Sequence, residues 1–198
     1  MPCMRGQSRI SGFPTIQASP AAGKAAGNEG AYSYMIERGN PVPSVRVKLV
    51  DANGIADTTS DTVLGTGLVV LFSVPGAFTP TCHVNHLPGF IANHAKLRAA
   101  GITRIVCAAT NDHHVMKAWA EATGALGKID FIADGNAELA KALGLAKDFS
   151  GSGMGTRYAR AAMIIRDGIV DNVFVEDAPG VSASGAPAIL MALETANS

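Results

Sequence analysis

The stretch Gly67-Leu-Val-Val-Leu-Phe-Ser-Val-Pro-Gly-Ala-Phe-Thr-Pro-Thr-Cys82 leads from an apolar run into the beginning of a helix. Residues 67–74 predict a buried strand, which Pro75-Gly76 ends. A helix is predicted from about Pro80, so Cys82 lies in its first turn. Backbone N–H groups there have no intrahelical acceptor and the helix dipole is positive, so a thiolate is favoured. We therefore interpret Cys82 as a nucleophile; the alternative is a small buried apolar side chain, which is common for a free cysteine.

The residues before Cys82 narrow the chemistry. A dithiol exchange site needs a Cys-x-x-Cys pair, and Thr79 stands at the position of the missing cysteine, so a disulfide oxidoreductase is disfavoured. Thr79 instead offers a hydroxyl that can donate to a thiolate and accept from a bound hydroxyl. Pro75 and Pro80 have a fixed φ and stiffen the loop around the sulfur. Ordinary helix-entry and turn chemistry is the alternative for these three residues.

The pattern Pro75-x-x-x-Thr79-x-x-Cys82, continued by His86-Leu-Pro-Gly-Phe90, resembles the active site of the peroxiredoxins of the type II and peroxiredoxin 5 branch. Two later blocks, residues 107–119 and 157–170, resemble further segments of that family. The likeness runs from about residue 45 to about residue 193. It implies a thioredoxin-like α/β fold with a central mixed β-sheet flanked by helices.

The resemblance also implies roles for single residues. Cys82 would become a sulfenic acid, Thr79 would orient the peroxide and Pro75 would shield the sulfur. Arg160 would lie beside the sulfur, where a permanently charged guanidinium stabilises a thiolate and holds peroxide oxygens. Arg157 competes for that role because it is three residues away, but the spacing to the following strand favours Arg160.

The implied activity is that of a thiol peroxidase which reduces hydrogen peroxide and organic hydroperoxides and is recycled by glutaredoxin with glutathione, or by thioredoxin. The family also implies a homodimer, with Phe78 as one candidate contact. The alternative function is a peroxide-sensing relay that passes oxidation from Cys82 to partner thiols. Neither a cofactor nor a metal is expected, since His86 and His113-His114 lack third and fourth ligands at the usual spacing.

The step that recycles the sulfenic acid is open in the sequence. Cys107 is a candidate resolving cysteine, but a strand-end cysteine that points into the core is equally compatible. A resolving cysteine near the C-terminus, as in the mammalian relative, is missing because Ala183 stands there. Cys3 lies in the N-terminal tail and is a poor candidate. His83 follows Cys82 where relatives usually carry serine, and we expect its ring to face solvent.

Composition excludes several classes of protein. Of the 198 residues, 47% are hydrophobic and 16% are charged, with sixteen basic and sixteen acidic side chains. Such a chain forms an ordinary globular core, has no basic field for nucleic acid and has no apolar run that could cross a membrane. Residues 1–40 predict a flexible extension before a domain at 41–198. We expect a cytoplasmic protein, with organelle targeting by residues 1–34 as the alternative.

The remaining chain alternates between strands and helices, as a thioredoxin-like fold requires. Asp167-Gly168 between two apolar runs predicts a hairpin near the C-terminus. Beyond residues 67–74, strands are predicted at 45–50, 105–109, 131–132, 161–165 and 169–175. Helices are predicted near 83–99, 112–123, 136–144 and 185–195.

Overall fold

The computed structural model describes residues 34–196 of the chain. Its main sheet has seven strands in the spatial order β2-β1-β5-β4-β3-β8-β9, and a small second sheet pairs β6 with β7. The strands are β1 (Arg46–Asp51), β2 (Gly54–Thr59), β3 (Leu68–Ser73), β4 (Arg104–Ala109), β5 (Asp130–Ala133), β6 (Ala146–Asp148), β7 (Thr156–Tyr158), β8 (Ala161–Arg166) and β9 (Ile169–Val175). The helices are α1 (Ser60–Leu64), α2 (Leu87–Ala92), α3 (His94–Ala99), α4 (His113–Ala122), α5 (Glu138–Ala142) and α6 (Ala186–Ala196).

The sheet is mixed, as predicted. Strands β3, β4 and β5 pair in parallel at its centre. Strand β1 pairs antiparallel with β5 on one side, and β8 pairs antiparallel with β3 on the other. The β8–β9 hairpin turns at Asp167-Gly168, where both residues have positive φ. A parallel centre that is covered on both faces requires continuous apolar strands, and β3 and β4 have that composition.

Side chains alternate between the two faces of the sheet, so each central strand contributes to two separate cores. Phe72 and Cys107 lie on the face covered by α2, α3, α4 and α6. Leu71 and Val106 lie on the opposite face, which α1 and α5 cover. The molecule is therefore a three-layer sandwich. The loop after β3 brings Cys82 to the face that carries Phe72 and Cys107.

The predicted helix near 83–99 is broken at Asn93, which separates α2 from α3. The side-chain amide of Asn93 donates to the Gly89 carbonyl at 2.9 Å, next to the backbone bond from Asn93 to the same carbonyl. Such local bonding by asparagine competes with helix continuation. The sequence also did not predict α1, β2, β6 or β7. Strand β2 lies at the sheet edge with three of its six residues exposed and none buried, so it has no apolar alternation to detect.

The first described residues already pack on the domain. Ile36 is 8% exposed and belongs to the core, and its N–H donates to the Leu143 carbonyl at 3.0 Å. The N–H of Gly39 donates to the Val170 carbonyl at 2.8 Å. The predicted extension lies largely outside the described residues, and its boundary at residue 41 stays a prediction. From Tyr34 to Ala196, no helix is both long enough and apolar enough to cross a membrane.

Candidate active site

Cys82 opens a wide helical turn, Cys82–His86, in a helix that begins at Pro80. The N–H of Leu87 donates to the Cys82 carbonyl, so the hydrogen bond spans five residues and the turn is π-helical. Single π-helical turns inside α-helices are frequent at functional sites. Cys82 has no exposed surface. The turn presents both Cys82 and His86 to one arginine.

That arginine is Arg160, in the short connection between β7 and β8. Its Nη2 donates to Cys82 Sγ at 3.4 Å, and its Nη1 lies 3.1 Å from His86 Nδ1. A guanidinium has only donors, so Nδ1 must be the unprotonated, accepting nitrogen. The other ring nitrogen, Nε2, therefore carries the proton and donates to the Ser184 carbonyl at 3.0 Å.

The imidazole of His86 is neutral at physiological pH. It is buried between Phe72 and Phe90, with ring centroids 5.0 and 5.7 Å away. Burial lowers the pKa of His86 to about 4; the bond to Ser184 opposes this shift and the charge of Arg160 adds to it. The guanidinium is therefore the cation that faces the sulfur. The sequence placed His86 in the family pattern and disfavoured it as a metal ligand, but it did not predict the contact with Arg160, although a spacing of four residues from Cys82 is typical of two side chains on one helix face.

Glu176, directly after β9, organises the loop that holds His86. Its Oε1 accepts from the N–H groups of Ser182 and Ser184 at 2.7 and 2.8 Å, and from the Ser184 hydroxyl at 2.8 Å. Its Oε2 accepts from the Ser182 hydroxyl at 2.8 Å. Burial alone would raise the pKa of Glu176, but these hydrogen bonds outweigh it and lower the pKa to about 2. The N–H of Glu176 donates to the Arg160 carbonyl at 3.0 Å. Sequence analysis did not identify Glu176 or Ser184.

The loop 75–79 lies on the other side of the sulfur. Thr79 Oγ1 donates to the Gly76 carbonyl at 2.9 Å. The hydroxyl proton therefore bonds to the backbone, whereas the sequence predicted that it could donate to the thiolate. Its oxygen lone pairs remain available as acceptors. A Cβ at Gly76 would lie 3.3 Å from Thr79 Cγ2 and 3.4 Å from Arg157 Nη1, so this close approach favours glycine. Arg157 thus lies against the loop, and its Nε donates to the Met154 carbonyl at 2.7 Å.

His83 does not face solvent freely, contrary to expectation. Its Nδ1 accepts from the indole N–H of Trp119 at 3.0 Å, and its ring stacks on Phe78 at 5.6 Å. Phe78 is 50% exposed and has a φ of 60°, an unusual value for a bulky side chain. Together these three aromatic side chains form a rim beside the Cys82 turn. Phe78 and His83 are close to Cys82 in the sequence, which was the available sign of an aromatic cluster. Their contact with Trp119 could not be predicted, because it depends on how α4 packs against the Cys82 turn.

Cys107 lies in the middle of the same core. It has no exposed surface, and its strand neighbours are Phe72 and Phe131. Burial raises the pKa of the Cys107 thiol well above its usual range; the nearby Cys82 adds to this rise and Arg160 partly opposes it. Cys82 and Cys107 are both free thiols. Ala183 lies between the two serines that Glu176 binds, and Cys3 is outside the described residues.

The paired histidines of α4 form no metal centre. His113 and His114 lie with their ring centroids 4.1 Å apart. Over residues 34–196 no group of three or more histidine, cysteine, aspartate or glutamate side chains is arranged to hold a metal ion.

Comparison with known proteins identifies the family. The Redoxin family model matches residues 37–190. Peroxiredoxin-2B of Arabidopsis thaliana is 39% identical over 156 residues, which are 78% of this chain and 96% of that protein. Peroxiredoxin-2E-2, chloroplastic, of Oryza sativa subsp. japonica is 41% identical over 161 residues, which are 78% of this chain and 71% of that protein. Reduced Prx3 from Vibrio vulnificus in complex with hydrogen peroxide is a similar structure, with a TM-score of 0.77 and 41% identity over 82% of this chain and 99% of that chain.

These similarities cover the sheet, the Cys82 turn and the C-terminal hairpin. The predicted thioredoxin-like α/β fold with a mixed sheet is confirmed. The predicted thiol peroxidase is also confirmed, and the relatives do not favour the alternative of a redox relay. The chain belongs to the peroxiredoxins of the type II kind and is an enzyme that reduces a peroxide at the expense of a thiol.

Proposed function

We propose that Cys82 is the peroxide-reactive cysteine, and that it reduces hydrogen peroxide and small organic hydroperoxides through a sulfenic acid. One observation carries this proposal: the guanidinium of Arg160 donates to the buried Cys82 Sγ at 3.4 Å. A charge-assisted hydrogen bond of this kind favours the thiolate, which is the nucleophilic form. Hydrogen peroxide is the ligand named for the Vibrio vulnificus Prx3 relative, which supports the substrate assignment.

In the proposed step the thiolate attacks one peroxide oxygen. A sulfur–oxygen bond forms as the oxygen–oxygen bond breaks, and the electron pair of that bond leaves with the distal oxygen as hydroxide or alkoxide. That oxygen takes up a proton and departs as water or an alcohol, and Cys82 is left as a sulfenic acid. Charge therefore moves from sulfur to oxygen, and fixed donors near both atoms stabilise the transition state more than the ground state.

Each remaining site residue has a part in this proposal. Arg160 holds the sulfur and the developing oxyanion with its planar set of donors. Thr79 accepts from the peroxide O–H, because its own proton already bonds to the Gly76 carbonyl. Pro75 narrows the entrance to the sulfur and carries no N–H that would recruit water. The complete burial of Cys82 favours small peroxides over bulky ones.

The sulfenic acid must then be reduced by a thiol. We propose glutathione with glutaredoxin, or thioredoxin, as the source of that thiol. The first thiol displaces water from the sulfenic acid and forms a disulfide, and a second thiol reduces the disulfide to restore Cys82. Cys107 is an internal candidate for the first thiol because Cys82 lies near enough to contribute to the raised pKa of the Cys107 thiol. Its raised pKa and its place in the strand weigh against rapid attack.

Two further expectations depend on the family resemblance. A homodimer would use the face near the active site, where Phe78 and Val84 are exposed hydrophobic side chains. We expect the protein in the cytoplasm, with organelle targeting by residues 1–34 as the alternative; the rice relative is named chloroplastic. Sedimentation of the full chain tests the first expectation, and imaging of tagged chains with and without residues 1–34 tests the second.

Rapid mixing of the reduced full chain with hydrogen peroxide tests the proposal. We expect a fast, second-order reaction, with a dimedone adduct on Cys82 in the mass spectrum and catalytic turnover with one of the thiol donors. Cys82→Ser should consume peroxide at the background rate, whereas Cys107→Ser should form the sulfenic acid normally. Peroxide consumption by Cys82→Ser at the parent rate would refute the assignment. Parallel turnover assays with thioredoxin and with glutaredoxin plus glutathione identify the donor.

A further inference from the structure

A series of hydrogen bonds that passes through Ser184 leads from a carboxylate to the sulfur. Glu176 accepts from Ser184, whose carbonyl accepts from His86 Nε2 at 3.0 Å. The other nitrogen of His86 accepts from Arg160 Nη1, and Arg160 Nη2 reaches Cys82 Sγ. These residues come from three segments that are far apart in the chain: the turn after β3, the residue before β8 and the loop after β9.

Glu176 holds Arg160 at two points. The backbone N–H of Glu176 bonds to the backbone carbonyl of Arg160 at 3.0 Å and continues the β8–β9 ladder by one pair. Through Ser184 and His86 the carboxylate of the same residue is connected to the guanidinium. An arginine side chain has about 2 kcal/mol of rotamer entropy to lose when it is held. These two attachments from one residue restrict both the backbone of Arg160 and its guanidinium.

The loop that the carboxylate holds also supplies the acceptor for the protonated ring nitrogen of His86. Glu176 Oε1 accepts from two donors of the loop, the N–H groups of Ser182 and Ser184, and also from the Ser184 hydroxyl, so both the amide and the side chain of Ser184 are held. The Ser184 carbonyl then faces His86 and retains the proton on Nε2. Nδ1 is left with its lone pair toward Arg160, which is the only arrangement in which the imidazole accepts from the guanidinium.

We propose that Glu176 is a positioning residue for peroxide reduction: through Ser184 it selects the Nε2–H tautomer of His86, and this tautomer aligns the Arg160 guanidinium with Cys82 Sγ. The inference rests on the proposed roles of Cys82 and Arg160 and extends them to a loop that touches neither sulfur nor substrate. Loss of the carboxylate would leave Arg160 in the pocket but in more than one orientation.

The test compares Glu176→Gln with Asp177→Asn in the full chain. Glutamine keeps the size of the side chain but replaces one accepting oxygen by a donor, so it opposes the Ser182 hydroxyl and loses the charge that holds the loop. We expect the rate constant for hydrogen peroxide to fall about tenfold, by analogy with residues that orient metal ligands from outside, whose loss costs about 10–100-fold. Asp177→Asn removes an adjacent exposed carboxylate and should retain the parent rate.

A spectroscopic measurement separates positioning from a general structural effect. Nitrogen NMR of histidine-labelled protein at neutral pH distinguishes the two tautomers. The parent and Asp177→Asn should show His86 as the Nε2–H form alone, and Glu176→Gln should show a mixture. Glu176→Gln with the parent rate constant, or with an unmixed Nε2–H form despite a slower rate, would overturn the inference.

Two further variants keep the test decisive. Where Glu176→Gln does not fold, Ser184→Ala replaces it, because this variant keeps the backbone carbonyl and removes the hydroxyl, which bonds to Glu176 and also lies 3.4 Å from His86 Nε2. We expect a loss of about threefold; a parent rate and an unmixed tautomer would then overturn the inference. Arg160→Ala tests the proposed function separately from the positioning role of Glu176. If Arg160→Ala is as fast as the parent, the proposed function itself fails, whereas a slow Arg160→Ala beside an unaffected Glu176 variant refutes only the positioning role.

Discussion

Cys82 and Cys107 lie on the same face of the central sheet, and neither has any exposed surface, yet their surroundings differ. Cys82 begins a π-helical turn and receives a hydrogen bond from a guanidinium. Cys107 is in the middle of a strand between Phe72 and Phe131. Burial is therefore common to both thiols and does not distinguish them. The difference lies in the polar partner that the fold brings to the sulfur.

The comparison shows how one core accommodates two kinds of cysteine. A buried thiol without a charged donor remains protonated, because the thiolate loses its hydration and gains nothing in return. A buried thiol with a fixed cation beside it has that loss offset. Arg160 contacts Cys82 directly, whereas the pKa of Cys107 remains raised well above its usual range because burial outweighs the nearby charge of Arg160.

The sharpest test of this difference is which of the two cysteines is oxidised first by peroxide. With one equivalent of hydrogen peroxide, we expect Cys82 to be oxidised at least about 10³-fold faster than Cys107, because the raised pKa of Cys107 leaves almost no thiolate at pH 7. Peptide mass spectrometry after dimedone trapping gives the ratio. Comparable labelling of both cysteines in the folded protein would break the comparison.

Removal of the cation should make the two cysteines more alike. Arg160→Ala should lower the peroxide rate constant by about 10²–10³-fold, the effect of losing one preorganised donor from a reaction site. Arg157→Ala is the matched control, because Arg157 bonds to the Met154 carbonyl and contacts the loop at Gly76 without reaching the sulfur. Stopped-flow measurement gives both constants. Equal losses in the two variants would show that charge in general, and not the contact with Cys82, is responsible.

Acid should destabilise the surroundings of Cys82 before those of Cys107. The pKa of His86 is about 4 in the folded protein and about 6.5 when unfolded, so between these values the unfolded chain binds a proton that the folded chain does not. Stability from this group is complete above pH 6.5 and is lost as the pH falls toward 4, by about 3 kcal/mol in all. Glu176 acts in the same direction because its pKa is lowered to about 2.

Hydrogen exchange measured between pH 7 and pH 4.5 checks this expectation. Amides of residues 82–92 should lose protection first, and amides of β4 around Cys107 should retain it. His86→Gln should remove most of the pH dependence, because glutamine does not titrate. Equal loss of protection in both segments would contradict the assignment of the effect to His86.

Substitution of the strand cysteine should affect stability and leave the chemistry intact. Cys107→Ser puts a hydroxyl among apolar neighbours without an evident partner, and we expect a loss of about 1–3 kcal/mol in the free energy of unfolding. Urea denaturation measures this loss, with Cys107→Ala as the control for volume. If Cys107→Ser is as stable as the parent but stops turnover with every thiol donor, Cys107 is a resolving cysteine and not a purely structural one.

The smallest expected effect concerns the aromatic rim beside Cys82. His83→Ser removes the acceptor for the Trp119 indole, and we expect a loss of about 1 kcal/mol in stability and a change in tryptophan emission. The peroxide rate should change by less than about threefold, because His83 contacts neither Cys82 Sγ nor Arg160 in the described hydrogen bonds. A large change in rate would show that the contact between His83 and Trp119 of α4 influences the reaction of Cys82.

The sequence predicted those parts of the molecule that are encoded locally. Apolar runs marked β3, β4 and the β8–β9 hairpin, and the Pro75 to Cys82 pattern identified the family. Strand β2 was missed because an exposed edge strand needs no apolar face. The break at Asn93 was missed because it depends on one side-chain hydrogen bond within a helix-forming stretch.

Residues of the site could be predicted only where they belong to a recognisable sequence pattern. Arg160 was favoured over Arg157 by its spacing to the next strand, and in the structure it is the one that contacts Cys82. Glu176 and Ser184 have no local pattern, since an acid and a serine in a polar loop are ordinary surface residues by sequence. Their importance arises from the β8–β9 pairing and from the packing of α6 beside α2, which bring the loop to His86.

The long separations within this site have a consequence for the newly made chain. Arg160 follows Cys82 by 78 residues, and Ser184 follows His86 by 98 residues. Because a ribosome releases the chain from its N-terminus, the sulfur emerges well before the guanidinium and the loop that accompany it in the finished molecule. Throughout most of translation Cys82 thus lacks these contacts, and we expect its rapid reaction with peroxide to begin only after Arg160 and the loop after β9 have joined the domain.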